Sequence, residues 1–231
     1  MKKTIILLGI SALIFAGGYG FYQWHFSSAG PVETWNKRVQ VLNQPVQKFE
    51  HEFRDGDLIF QTSLSSQSEA IQLATKSTYS HCGIIYKYGQ DYLVFEAVQP
   101  VKLTPLYRWI ARGQEGKYVV KRLKNADEVL TPEALAKMKT IGEEFNGKNY
   151  DLTFEWSDDK IYCSELIWKV YQRATGIEIG KLEQLRDFDL THEVVKQKMK
   201  ARYGNKIPMD EIVISPAAIF DSELLITVKA N

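Results

Sequence analysis

The chain has 231 residues, 45% of them hydrophobic and 25% charged, an ordinary globular balance that excludes a disordered or low-complexity protein. Its 29 Lys and Arg against 28 Asp and Glu leave a net charge of +1, so no basic surplus points to nucleic acid. Two cysteines are too few for a disulfide framework, and four scattered histidines make a poor start for a metal site; neither a metal nor a cofactor is expected.

Lys2 and Lys3 precede residues 4–22, a run without a single charge, and no acidic or basic residue follows until Glu33. That length approaches the ~20 apolar residues of a spanning helix, and the lysines ahead of it predict a cytoplasmic N-terminus with the remainder exported. Residues 1–30 therefore read as a signal peptide or a retained membrane anchor. The expected location is the periplasm or the outer face of a bacterial inner membrane. Small residues at Ala16 and Gly18, or Ser27 and Ala29, could serve a signal peptidase, though no clean Ala-x-Ala occurs. No cysteine lies nearby, which excludes a lipoprotein. Residues 31–52 are polar and mixed, a linker or an ordered arm, and residues 53–231 are long enough for one domain with a real core.

Within that domain, residues 57–61 leave the Asp55-Gly56 turn as a strand, and Ser66-x-x-Glu69 forms a capping box ahead of a helix carrying Ala70, Ile71 and Ala74. Residues 80–87 and 91–98 are two β-rich runs around Tyr88-Gly89-Gln90, a hairpin signal. Residues 100–116 read as a loop, with Arg108, Trp109 and Arg112 as candidate cleft-lining groups. A strand follows at 117–123. Thr131-Pro132 then opens a helix that buries Leu135, Met138, Ile141 and Phe145 and stops at Gly147. Further helices are expected over 162–174, ended by Gly176, and over 191–202, with a late strand at 211–215. Strands grouped in the middle and flanked by helices predict an α+β fold with a small antiparallel sheet.

The chemistry centres on Cys163. It opens a helix whose Ile167, Val170 and Ala174 share its face, at the end where backbone N–H groups are unpaired. A helix N-terminus with a basic neighbour lowers a thiol pKa from ~8.5 into the 3.5–7.5 range. Cys82 differs: it alternates with Ser80, Ile84 and Tyr86, while His81 points to the opposite face, so Cys82 reads as packing.

The hairpin supplies a base and a group to orient it. With Tyr88-Gly89 as a two-residue turn, Lys87 pairs with Gln90 and His81 falls opposite Glu96; moving the turn by one residue leaves both side chains on one face. Glu96 sits among Val94, Phe95, Ala97 and Val98, where a carboxylate is costly without a partner. A thiol attacks an acyl carbon only as thiolate, so it needs an imidazole to hold the proton, and the imidazole needs its second nitrogen engaged. Cys163, His81 and Glu96 provide those three types. The Cys163 N–H is a ready oxyanion donor, with Tyr150 and Tyr162 as candidates for the second. His25, His51 and His192 have no thiol or carboxylate at an informative spacing and take no role.

The ordered blocks Gly56-Asp57-Leu58-Ile59-Phe60, Ser80-His81-Cys82-Gly83-Ile84, Phe95-Glu96-Ala97-Val98, Asn149-Tyr150-Asp151 and Tyr162-Cys163-Ser164-Glu165-Leu166 resemble the YaeF/YiiX-type permuted papain-like amidases, within the wider NlpC-type cysteine peptidase superfamily. The resemblance covers nearly the whole domain. In ordinary papain-like enzymes the nucleophile precedes the histidine; the order His81, Glu96, Cys163 is that of a circular permutation. The resemblance implies a Cys–His–Glu hydrolase of amide bonds, acting on cell-wall peptides or small amino-acid amides, with its cysteine helix packed on a partial barrel.

Two other functions fit the same features. A permuted acyltransferase or lipid hydrolase, of the lecithin–retinol type, would use the same triad near a membrane. The segment Cys163-Ser164-Glu165-Leu166 and the absence of an Asn-Cys pair speak against it. A wall- or peptide-binding module would keep the cleft and need no reactive thiol.

Overall fold

The computed structural model describes Trp35 and residues 53–231. Residues 1–30, read as a signal peptide or anchor, and the rest of the 31–52 stretch lie outside the described residues. Among the described residues no helix is long and apolar enough to cross a membrane.

Six strands form one antiparallel sheet: β1 (Leu58–Gln61), β2 (His81–Tyr88), β3 (Asp91–Glu96), β4 (Lys102–Pro105), β5 (Val119–Leu123) and β10 (Leu225–Ala230), in the spatial order β10-β5-β1-β2-β3-β4. The helices are α1 (Ser68–Thr75), α2 (Leu106–Ala111), α3 (Ala126–Val129), α4 (Pro132–Phe145), α5 (Cys163–Thr175), α6 (Glu193–Tyr203) and α7 (Pro216–Phe220). Two small ladders complete the fold, parallel β6 (Asn149–Tyr150) with β7 (Lys160–Ile161) and antiparallel β8 (Glu183–Gln184) with β9 (Ile212–Val213). This is the expected α+β architecture.

The central strands are apolar on both sides because both sheet faces are covered. On one face Leu58, Phe60, Cys82, Ile84 and Phe95 pack with Met138 of α4 and Leu166 and Val170 of α5. On the other, Ile59, Ile85, Val94 and Val120 pack under Leu106 and Trp109 of α2. A smaller third cluster joins α1 to α6 through Ala70, Leu185, Val195 and Met199. Trp35 is buried edge-on to Tyr86, with ring centroids 5.0 Å apart, and lies over Gly142, where a Cβ would come within 3.0 Å of its ring.

Local signals set α4 as expected. The Thr131 hydroxyl accepts from the Ala134 N–H, Pro132 opens the first turn, and Gly147 takes the left-handed conformation just past the end. Gly176 likewise ends α5.

Four local expectations need correction. The Ser66–Glu69 box does not form: α1 begins at Ser68 with Gln67, not Ser66, as its flanking residue, and it has no side-chain cap. The hairpin turn is Gly89-Gln90, with Tyr88 paired to Asp91, since Gly89 takes the positive φ (60°) that the turn requires. Residues 100–116 are mainly ordered structure, strand β4 running at Pro105 into α2, rather than a loop. Of residues 211–215 only Ile212–Val213 pair. Strand β10, which the sequence reading omits, closes the sheet on β5 with a bulge between Thr227 and Lys229.

Candidate active site

The site forms where the first residue of β2 meets the first residue of α5. Cys163 follows Tyr162, the N-terminal flanking residue of the helix, and the helix is buried around its whole circumference from Cys163 to Tyr171. Its start is fixed by side chains that reach across the chain. The Ser164 hydroxyl donates to the Ile214 carbonyl at 2.7 Å, and the Ile214 N–H donates to the Tyr162 hydroxyl at 3.1 Å. On the outer side Lys169 binds both Glu165 (2.7 Å) and Asp158 (2.9 Å), and Arg173 binds Asp158 (2.8 Å). The acidic turn ahead of α5 is thereby stapled to the body of that helix, and the two cations hold the Asp158 carboxyl far below its usual range.

On the opposite side of the junction, His81 Nε2 lies 2.7 Å from Glu96 Oε2. The two residues share a face as expected, but diagonally, because the observed hairpin register is moved one residue from the expected turn. Gly83 makes that diagonal available: a Cβ there would sit 3.5 Å from the Glu96 Cβ and 2.4 Å from Val94 Cγ1. Glu96 is wholly buried. Its other oxygen accepts from the Thr104 hydroxyl at 2.6 Å and from Arg112 Nη2 at 2.5 Å. The Trp109 ring stacks on the imidazole with centroids 5.8 Å apart.

Cys163 receives hydrogen bonds from both strand neighbours. With Nε2 occupied by Glu96, the ring nitrogen left for the sulfur is Nδ1, and His81 and Cys163 are hydrogen-bonded. Cys82, although on the other face of β2, also contacts Cys163, through its thiol and its backbone N–H. Adjacent residues on opposite faces of a strand thus meet one sulfur at the strand's end. The Cys82 thiol is the largest influence holding the Cys163 pKa well below its ordinary value; burial opposes it and His81 adds to it. Burial and the neighbouring Cys163 push the Cys82 thiol well up, so Cys82 stays S–H and donates. Burial disfavours the charged imidazole, but Cys163 and Glu96 outweigh it and raise the His81 pKa to about 9. Burial likewise works to raise the Glu96 pKa, yet His81, Arg112 and Thr104 keep it below the usual value. The arrangement holds a thiolate beside an imidazolium on an ionised, triply bonded carboxylate, which is the charge state of an acyl-transfer nucleophile.

Tyr150 and Tyr162 part company. The β6–β7 ladder sets Tyr150 beside Ile161, and its hydroxyl accepts from Gln67 at 3.0 Å. Burial, with Cys163 adding to it, raises its pKa well above the ordinary value, so it remains a donor near the sulfur. Tyr162 lies near Cys163 too, but its hydroxyl serves the Ile214 N–H. Of the three residues read as cleft-lining, Arg112 and Trp109 support the His81–Glu96 pair, whereas Arg108 lies on the surface against Tyr107. Thr104 and the contact of Cys82 escape sequence reasoning. So does Gln61, which pairs with His81 across the sheet, is buried, and leaves its amide oxygen without a partner among the described residues. A cleft of about 660 Å³ opens over this group, bounded by Gln61, Ser80, His81, Gln99, Arg112 and Tyr150.

Residues 52–229 match the family described as permuted papain-like amidase enzymes, YaeF/YiiX, C92. The chain is 50% identical over 173 residues to the uncharacterized protein YiiX of Escherichia coli strain K12, a match covering 75% of this chain and 84% of that protein. It also superposes on the crystal structure of the metalloprotein YiiX from Escherichia coli O157:H7, with a TM-score of 0.73 and 49% identity over 77% of this chain and 97% of the other. Among the described residues of this chain, no group of three or more His, Cys, Asp or Glu side chains is placed to hold a metal ion. By sequence over most of its length, and by fold, the chain belongs to the YaeF/YiiX family of permuted papain-like amidases.

Proposed function

We propose that the protein hydrolyses amide bonds through a Cys163 thioester, with His81 as acid and base and Glu96 as the residue that orients it. One observation carries this reading: both nitrogens of His81 are engaged, Nε2 by buried Glu96 and the other by the sulfur at a helix N-terminus. The thiolate electron pair forms a bond to the acyl carbon, and the carbonyl π pair moves to oxygen. That oxyanion is met by the Cys163 N–H, with the Tyr150 hydroxyl as second donor. The oxyanion pair re-forms the carbonyl, the C–N bond breaks, and the imidazolium gives its proton to the departing amine. Water then attacks the thioester with His81 as base, releasing the acid and restoring the ion pair. Glu96 keeps the ring in place and stabilises its charge without taking the proton.

The mixed lining of the cleft, with Gln61, Ser80, Gln99 and Arg112 beside Leu64, Val98 and Leu152, fits a peptide or amino-acid amide, and cell-wall peptides are the class that an exported enzyme meets. Export itself rests on Lys2, Lys3 and the uncharged run over residues 4–22, which would also tether the domain to the membrane if it is retained. The test is to incubate the full chain with a panel of peptidoglycan-derived peptides and aminoacyl amides, following amine release and the intact mass of the protein. Turnover lost in Cys163→Ala, with a quenched sample of the parent protein heavier by one acyl group, supports the reading. Undiminished turnover in Cys163→Ala overturns it.

A further inference from the structure

A second, smaller cavity touches the same sulfur. It encloses about 90 Å³ between α1, α6 and the start of α5, walled by Ala70, Phe154, Val195 and Met199 together with Cys163 and Tyr150. It lies where the α1–α6 cluster fails to close on the main core, which contains Cys163 and Tyr162. An unfilled apolar space costs stability in proportion to its volume. Several polar groups on its wall are committed elsewhere: Arg202 to the Gln67 amide oxygen at 2.7 Å and to the Phe154 ring, the Ser164 hydroxyl to the Ile214 carbonyl, and the Tyr162 hydroxyl to the Ile214 N–H. What the cavity offers a ligand is therefore hydrocarbon contact. Tyr150 also bounds the 660 Å³ cleft beside His81, so the two spaces share that residue as a wall.

We infer that this cavity is the subsite for an aliphatic group on the acyl side of the scissile bond, leaving the larger cleft beside His81 for the amine that departs. The inference rests on Cys163 being the nucleophile and adds the substrate class. At 10–15 Å³ for each water-sized group, the space of about 90 Å³ takes an apolar chain of about six to nine carbons, the size of a short fatty acyl group.

The test uses alkylation of the full chain, which needs no knowledge of the substrate. The thiolate displaces iodide from iodoacetamide and from its N-butyl, N-hexyl and N-dodecyl derivatives, and the rate at Cys163 is followed by mass spectrometry of its peptide. Each methylene that enters an apolar site favours binding about fourfold. The rate at low reagent concentration should therefore rise at least tenfold from the parent reagent to N-butyl or N-hexyl and fall again at N-dodecyl. Ala74→Leu, and independently Val195→Met, should each lower the ratio of hexyl to parent rates at least fivefold. Equal rates for all chain lengths overturn the subsite while leaving the nucleophile reading intact. A rate still climbing at N-dodecyl overturns the size limit in favour of an open lipid groove. A Cys163 inert to iodoacetamide itself overturns both readings.

Discussion

Cys82 and Cys163 meet sulfur to sulfur where β2 and α5 begin, and the contact joins a thiol held protonated to a thiol held ionised. Burial alone would leave both neutral. Helix position and His81 decide which of the two carries the charge, and the other becomes its donor. Cys82→Ala should therefore raise the Cys163 pKa and slow its alkylation at pH 6 by about three- to tenfold, the loss of one hydrogen bond to a charged group. Cys82→Ser, which keeps a donor, should recover part of that rate. Unchanged labelling in Cys82→Ala would reduce Cys82 to packing.

The ion pair sets the pH range of reaction. His81 titrates at about 9 and the Cys163 thiol ionises well below its ordinary value, so turnover should plateau through neutral pH and fall as pH rises past about 9. Glu96 raises the His81 pKa, so Glu96→Gln should move the alkaline limb downward. A limb that stays at the same pH in Glu96→Gln would show that the carboxylate does not govern the imidazole.

Arg112 is half-exposed yet holds a fully buried carboxylate oxygen, which Thr104 shares. Replacing it by Met leaves Glu96 one charge-assisted bond short in the interior. Arg112→Met should lower the unfolding free energy by about 2 kcal/mol and the kcat/KM by roughly tenfold. Chemical denaturation checks the first and the amide panel the second.

Gly83→Ala tests the diagonal that joins β2 to β3. The added methyl would lie 2.4 Å from Val94 Cγ1 and 3.0 Å from the Phe95 carbonyl oxygen. Since the carbonyl belongs to the neighbouring strand, side-chain motion alone cannot relieve the contact. A loss of about 1–3 kcal/mol is expected, with slower Cys163 labelling as the His81–Glu96 pair is pushed apart. Wild-type denaturation and labelling in this variant would refute that role for the glycine.

Glu165 gives a stability prediction of defined sign. Burial, partly offset by Lys169, raises its pKa to about 7 in the folded chain, against about 4.3 in an unfolded one. The folded state then binds the extra proton between those values, so this group's contribution falls as pH rises from about 4.5 to 7. Glu165→Gln should flatten that part of the curve, raising stability at pH 8 relative to pH 5. Thermal melts at the two pH values decide the point.

The helix ends, the hairpin and the pairing of Glu96 with His81 were legible because each rests on a local signal: Thr131-Pro132 at a helix start, Gly176 at a helix end, and a glutamate stranded among Val94, Phe95 and Ala97. What was not legible depends on partners distant in sequence. The Ser68 hydroxyl meets Ser80 only once the chain has folded back, and Thr104 reaches Glu96 only once β4 lies beside β3. The rule of alternation correctly set His81 and Cys82 on opposite faces. It could not show that a helix end would reach both of them at the strand's first residues.

Trp35 is buried in the domain, so the stretch ahead of residue 53 contributes a side chain to its core. Cleavage after either pair of small residues, near residue 18 or residue 29, would keep this indole in the mature chain. If the hydrophobic run is instead retained, the twelve residues between Tyr22 and Trp35 set a leash of at most about 45 Å. The catalytic domain would then patrol a thin shell next to the bilayer, reaching membrane-proximal substrates and missing those farther out. A chain cut back to the residues from 53 onward would also lose the indole that lies on Tyr86, Phe95 and Gly142, so Trp35 belongs to the folding unit.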